Sequence, residues 1–581
     1  MIRIVKKFRS IMSREQQVRI LLLGVLMVFG AVLEMAGVSL VLPLMTAVTD
    51  AHFMEKPYMQ AICGMFHIST YYEAMMLILG ALLFIYIFKN AYLFLEYYLQ
   101  YRFVCNSRFQ VQKQLLRIYM YRPYEFYLNA TTAEIMRIIN TDVINAFSLL
   151  TTVLNFFTEV IVSAALILII LIIDPGMAAL IGLVLGFIML VMFKAVKPVL
   201  RRASQRFTKN TSLSTKWMLQ SLNGIKDVKV SYKEEYFIEE YAIYGKKAID
   251  AEKINSVVTM MPRLLIEAVS VASVLAVIMG LLSAGQSIDR LMPQLTAFAF
   301  AAVRLLPSTT RISGAVNSAA FQEPMLDNLI KNLKAAKNLE SQKHRHPDIK
   351  KEQAALTYEK QFELRNIRFR YPNAPADVLD GADMVIPAGK SVGIIGTSGS
   401  GKTTAVDILL GLLLPQSGEV LADGRDIRED YAGWLSHVSY IPQAIYMLDD
   451  TIRANIAFGQ KKEDIDDAQV LRAIEEAQLK PFLDSLPQGM ETKIGERGVR
   501  LSGGQRQRIG IARALYTDPE IVIFDEATSA LDNETEAAIM ESVNSLHGRK
   551  TLVIIAHRLT TIEECDIIFK VENGKIIRNK G

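Results

Sequence analysis

The run GTSGSGKT, Gly396–Thr403, combines three glycines, small hydroxyl residues, a lysine and a threonine. Glycines let backbone N–H groups close around phosphate oxygens. A lysine at this spacing reaches the β- and γ-phosphates of a nucleoside triphosphate, and the threonine after it can bind Mg2+. The apolar run SVGII precedes the motif and TAVDILLGLL follows it, the strand, loop and helix that the chemistry requires. Gly396, Thr397, Ser398, Gly399, Ser400, Gly401, Lys402, Thr403 and Thr404 are therefore the expected phosphate cradle. Downstream, IVIFDE (Ile521–Glu526) reads as a second buried strand ending in two carboxylates. Asp525 is placed to hold Mg2+ through water, and Glu526 to polarise an attacking water as a general base.

Further motifs fall in a fixed order around these two. LSGGQ (Leu501–Gln505) directly precedes the helical run RQRIGIARAL; Tyr371 stands in FRYPN, Gln443 in YIPQ, Asp532 at the end of SALD and His557 in IIAHR. The set resembles the ATP-binding cassette proteins, and the resemblance covers residues 360–581. It implies ATP and Mg2+ as cofactors. It implies that Tyr371 stacks on adenine, that Gln443 is the Q-loop residue beside the metal, that Asp532 is in the D-loop and that His557 is the switch histidine. In that family Ser502, Gly503, Gly504 and Gln505 complete a nucleotide site across a dimer interface. A second half-transporter chain is therefore implied, most simply an identical one.

These residues need elements to hold them, and the chain is too long for a single core. Hydrophobic residues make up 51% of it, which points to a membrane. Residues 1–340 carry 34 Lys/Arg against 23 Asp/Glu, and the remainder 30 against 36, so a basic apolar part precedes an acidic soluble one. Apolar runs long enough to span a bilayer, ~20 residues each, occur around 18–48, 72–98, 148–173, 176–198, 258–284 and 290–320. The first lacks a small-residue cleavage site and is expected to remain as a helix. The expected fold is an α-helical membrane domain of six transmembrane helices, exporter type, over residues 1–330. A polar linker follows at 331–360, then an α/β P-loop nucleotide-binding domain at 361–581. Three scattered cysteines, Cys63, Cys105 and Cys565, form no metal or disulfide pattern.

Basic residues concentrate before the first run and in the loops after the second and fourth, which places both termini in the cytoplasm. Those two loops are long and helical in period, so the helices should extend beyond the bilayer. By resemblance, Tyr124–Asn140 and Gly224–Tyr236 are coupling segments, and Glu496 in TKIGERG is an acidic contact to them. Between the first two runs, Tyr58, Met59, Ile62, Met65 and Phe66 share one helical face, which fits either an external amphipathic helix or a packed loop.

Four cations sit inside or at the edge of the spans: Lys89, Arg263, Arg304 and Arg311. Arg304 and Arg311 lie seven apart, on one helix face. Deep ionisable residues usually face a cavity or a partner. Three readings stand: snorkelling to lipid phosphates, ion pairs with Glu34, Glu159 or Glu267, or recognition of an anionic headgroup. EMAGVSLVLPL, PRLLIE and RLLPSTTR resemble bacterial lipid-linked oligosaccharide flippases. That resemblance implies a polyprenyl-diphosphate-linked oligosaccharide moved across a bacterial inner membrane, with the four cations on the diphosphate. A multidrug or other lipid exporter shares every ATP motif and remains the alternative; six spans exclude a soluble nucleic-acid ATPase.

Overall fold

The computed structural model describes residues 1–39, 59–60, 64–65, 67, 70–173, 175–283, 288–340, 358–372, 374–525, 539–541, 543–556 and 562–580. They divide into two compact units, Met1–Arg122 with Asn129–Asn338, and Pro123–Leu128 with Leu339–Gly581.

The first unit is helical. A short helix α1 (Ile2–Arg9) precedes α2 (Arg14–Ser39), and α3 (Tyr71–Met120) follows. α5 (Thr132–Arg137) leads into α6 (Val143–Ile173), while α4 (Tyr124–Asn129), which lies between α3 and α5 in the chain, belongs to the second unit. α7 (Pro175–Asn223), α8 (Ile225–Val230), α9 (Glu234–Ser283) and α10 (Ile288–Glu340) complete it. Each expected span falls on one of the long helices, the first only as far as Ser39. Among the described residues, three helical segments are long and apolar enough by composition to cross a membrane. At 50 residues α3 is ~75 Å long, against ~30 Å of hydrocarbon, so it does run on past the bilayer. It starts cleanly because Thr70 and Glu73 form a capping box, each side chain bonded to the other's backbone N–H. The Tyr58–Phe66 segment lies largely outside the described residues.

Packing fixes two features of the helices beyond their apolar runs. Val196, Leu200 and Ala203 of α7 bury against Ala251 of α9 and Ala320, Phe321 and Met325 of α10. This turns the opposite, polar face of α7 outward. Between α5 and α6, Ile138–Asp142 form a π turn. Residues five apart diverge on an α-helix, but the wider turn lets buried Arg137 donate to both oxygens of buried Asp142 at 2.6 Å. Asn328 of α10 donates to the same carboxylate at 2.6 Å. The N-terminal helix, which the apolar pattern did not reveal, buries Ile4 and Phe8 and sends Lys7 to Glu323 and Asp327 of α10, both at 2.6 Å.

The second unit contains two sheets. β1 (Gln361–Phe369), β2 (Leu379–Pro387), β4 (Ser417–Ala422) and β5 (Arg425–Asp426) form an antiparallel sheet in the order β2-β1-β4-β5. β3 (Ser391–Ile395), β6 (Val438–Ile441), β7 (Ile521–Asp525), β8 (Thr551–Ile555), β9 (Ile567–Glu572) and β10 (Lys575–Lys580) form the other, ordered β10-β9-β3-β8-β7-β6. All but β10 run parallel in this second sheet, and β3, β7 and β8 are continuous apolar runs because both their faces are covered. The fold is thus an α-helical membrane domain followed by an α/β nucleotide-binding domain.

Candidate nucleotide site and membrane cations

The phosphate loop leaves the C-terminal end of β3, between β9 and β8, where ligands of open α/β sheets gather. It enters α11 (Lys402–Leu409), whose N-cap, Gly401, has φ 105°. A Cβ on Gly401 would come within 2.9 Å of Val378 Cγ1, and one on Gly396 within 2.5 Å of Ser400 Oγ, so both positions require glycine. Lys402 is buried, and its Nζ donates to the carbonyls of Gly396 at 3.0 Å and Thr397 at 3.2 Å, curled over its own loop. Ser400 Oγ is buried with no hydrogen-bond partner among the described residues. A glycine-walled cradle, a buried ammonium and an orphaned hydroxyl fit a nucleotide's phosphates.

Tyr371 packs edge-on to Phe369 and its hydroxyl lies 3.0 Å from Thr404 Oγ1, which holds the ring over the start of α11. Gln443 lies two residues past β6, and Asp525 closes β7, its side chain buried. The sheet therefore brings Tyr371, the phosphate loop and Asp525 to one edge. Glu526, Asp532 and His557 lie outside the described residues.

Two partners of this site are not evident from motifs. The Tyr440 hydroxyl donates to Asp525 Oδ2 at 2.9 Å, and burial together with that carboxylate pushes the Tyr440 phenol well above its ordinary range. Asp407, on α11, is held up at about 6 by burial and then by the Asp525 carboxylate. An acid within the apolar run TAVDILL was the available signal for Asp407; nothing in the sequence marks Tyr440. Tyr124 of α4 lies within electrostatic range of Asp407 and Tyr371. Its neighbour Glu125 accepts from the Leu414 backbone N–H at 3.0 Å.

The signature helix α12 (Gly503–Leu515) opens on a second capping box. Ser502 Oγ accepts from Gln505 N at 3.2 Å, and Ser502 N donates to Gln505 Oε1 at 2.8 Å. Ser502 is exposed and Gln505 half-buried. Glu496 is exposed on a one-turn helix, Glu496–Gly498.

The membrane cations have different surroundings. Arg311 of α10 pairs with Glu159 of α6, which Ser308 also hydrogen-bonds. Lys89 is buried on α3 with its ammonium 4.7 Å from the centre of the Tyr86 ring. Arg263 is exposed on α9, and Arg304 lies on α10 with its side chain outside the described residues. Glu96, buried on α3 with Oε2 lacking a hydrogen-bond partner among the described residues, is an acid near the end of the second apolar run that no motif marks.

Comparison with known proteins agrees with this architecture. Residues 20–299 match the family described as ABC transporter transmembrane region, and residues 379–529 match ABC transporter. An ATP-dependent lipid A-core flippase of Bordetella avium (strain 197N) is 37% identical over 54% of this chain and 51% of its own length. ABC transporter BEA3 of Gibberella fujikuroi is 41% identical over 37% of this chain and 17% of its own length. The matches thus span about half or less of these relatives. The solved structure of a bacterial Atm1-family ABC exporter with ATP bound has a TM-score of 0.74 at 22% identity, covering 98% of this chain and 95% of that one. With both regions present in one polypeptide, the chain belongs to the ATP-binding cassette transporters, as an exporter-type half-transporter.

Proposed function

We propose that the chain is one half of an ATP-driven exporter that turns a polyprenyl-diphosphate-linked oligosaccharide from the cytoplasmic to the outer leaflet of a bacterial inner membrane. Two copies act together, with both termini cytoplasmic. The observation that carries the ATP-driven part is the glycine cradle, with Lys402 and Asp525 at one sheet edge. Bound ATP supplies a hydrolysable phosphoanhydride. Lys402 and the loop N–H groups bind its phosphates, Tyr371 covers the adenine, and Thr403, Gln443 and Asp525 would hold Mg2+, which would offset the phosphates' negative charge. Glu526 takes the proton of the attacking water, and His557 positions it. Ser502, Gly503, Gly504, Gln505 and Asp532 complete the site of the other copy, a reading that the exposure of Ser502 supports.

The lipid part rests on Lys89. A lysine buried in a span is costly to hold and is usually retained for a ligand or partner. With Arg263, Arg304 and Arg311 it supplies cations suited to a diphosphate, Arg311 through exchange with Glu159. Several relatives are named ATP-dependent lipid A-core flippase, which supports a lipid cargo. The test is ATP-dependent translocation in proteoliposomes of an undecaprenyl-diphosphate-linked oligosaccharide, beside a neutral phospholipid and a cationic drug. Selective movement of the diphosphate lipid is expected; transport of the drug alone would establish a multidrug exporter instead.

A further inference from the structure

Along the cytoplasmic extension of α7, Arg201, Gln205, Thr208, Ser212 and Lys216 follow one another at spacings of four, three, four and four, with Lys209 beside them. That spacing is one helix face, over a length of ~22 Å. The face lines a crevice of ≈ 660 Å³ whose other walls are Thr131, Glu134 and Arg137 of α5 and Pro324 and Asp327 of α10. The cations are unequally engaged. Arg137 is paired with Asp142, and Asp327 with Lys7, which Glu323 shares. Arg201, Lys209 and Lys216 are exposed and have no acidic partner among the described residues. Glu134 is the one wall acid without an ion pair there, so the crevice is cationic.

We infer that this crevice is a docking site for the anionic, hydroxyl-rich headgroup of the cargo before it enters the membrane domain. The inference deepens the lipid-linked oligosaccharide reading above and rests on it. The lining decides the class of ligand. Unpaired guanidinium and ammonium groups suit phosphoryl or carboxylate oxygens. Thr131, Gln205, Thr208 and Ser212 offer donors and acceptors to sugar hydroxyls. Among the described residues, Leu213 and Pro324 are the only apolar side chains and no aromatic ring lines the walls, which disfavours an apolar drug. Position decides the orientation. Arg201 stands three residues beyond the 176–198 span, and Lys194 and Lys197 continue the same face to the membrane edge. A headgroup hanging from a lipid would reach Arg201 first and extend toward Lys216. A pre-bound headgroup is held at high effective concentration next to the membrane cations.

The test uses the full-length protein in nanodiscs, with a water-soluble trisaccharide 1-diphosphate as probe and the neutral trisaccharide and inorganic diphosphate beside it. The comparison is between the natural protein, the triple exchange Arg201→Gln, Lys209→Gln, Lys216→Gln, and the charge-keeping set Arg201→Lys, Lys209→Arg, Lys216→Arg. Melting temperature and elution volume verify folding. The sugar diphosphate should bind more tightly than either fragment, and the Gln set should weaken it by about tenfold or more, the Lys/Arg set by much less. If the triple exchange misfolds, Lys209→Gln and Lys216→Gln singly should each weaken binding by about threefold. Unchanged binding in a folded Gln variant overturns the inference. So does disulfide capture of Lys209→Cys by the second copy in the resting dimer, which would show the face covered. Translocation separates the two levels. Full movement of the diphosphate lipid by the Gln variant removes the crevice and leaves the flippase reading standing. Tight, charge-dependent probe binding without movement of any lipid-linked glycan removes the flippase reading and leaves the crevice.

Discussion

Glu125, on the short helix between α3 and α5, accepts a hydrogen bond from the backbone N–H of Leu414, 289 residues further along the chain. The partner follows directly on the phosphate-loop helix, and Tyr124 lies near Asp407 of that helix. Segment 123–128 is thus held by the nucleotide-binding unit.

Glu125→Ala removes a charge-assisted bond to a backbone donor. Nucleotide binding should survive, since no cradle residue is touched. The extra hydrolysis that cargo elicits should fall severalfold, as expected for a loss of about 1–2 kcal/mol at this joint. The ratio of stimulated to basal hydrolysis in nanodiscs measures it; a ratio equal to the natural protein's would show that the contact transmits nothing.

Glu526→Gln should lower hydrolysis by ~10²-fold or more while ATP still binds, because a general base is lost and Lys402 and Thr403 remain. Single-turnover hydrolysis alongside binding of labelled ATP tests this. Near-normal turnover would take Glu526 out of the proposed mechanism.

Asp407 predicts a pH dependence with a definite sign. Its carboxyl is held at about 6 in the folded protein, above the 3.8 of a free aspartate, so the folded state binds this proton more tightly. Its contribution to stability is therefore most favourable below 3.8 and is lost as pH rises through about 6. Asp407→Asn should stabilise the nucleotide-free protein at pH 7.5 by about 1 kcal/mol after allowing for partial exposure, seen as a higher melting temperature, and the gain should vanish near pH 4. Melting curves of both proteins at pH 4, 6 and 7.5 decide the matter, and equal melting points at pH 7.5 would remove the effect.

Arg311 and Glu159 form a pair in the membrane unit, which the sequence left as one of three readings. Arg311→Gln should cost about 1–2 kcal/mol, since it strands a largely buried carboxylate. Adding Glu159→Gln should restore much of that. A double variant with recovered stability but lost diphosphate-lipid transport would assign Arg311 both tasks. Recovery of both stability and transport would leave it a structural residue.

Ser502→Ala should remove the cap of α12 at about 1 kcal/mol, whereas Gln505→Glu should keep the box closed. Thermal melts without nucleotide separate this structural term from any loss of ATP affinity. Equal melting points for both would mean the cap adds nothing.

The nucleotide site was legible because its chemistry is local: GTSGSGKT specifies a loop by glycine backbone freedom, and SVGII and IVIFD specify buried parallel strands. The long helices were legible from apolar runs and a basic loop pattern. What the sequence did not disclose are meetings across distance. Tyr440 reaches Asp525 only because β6 lies beside β7 in the sheet. Arg311 had three acidic candidates, and helix packing selected Glu159. α1 escaped notice because eight residues, four of them basic, carry too short an apolar pattern.

The π turn at Ile138–Asp142 has a consequence for how this chain tolerates change in length. A π turn is one residue of slack in an otherwise continuous spiral. Deleting Asn140 or Thr141 would let the segment relax to the ordinary pitch, where each residue advances by ~100°. Everything upstream would then swing around the axis relative to α6. Arg137 would leave Asp142, stranding two buried charges, and Thr131 and Glu134 would rotate away from the basic face of α7. A single-residue deletion here is therefore a gear change.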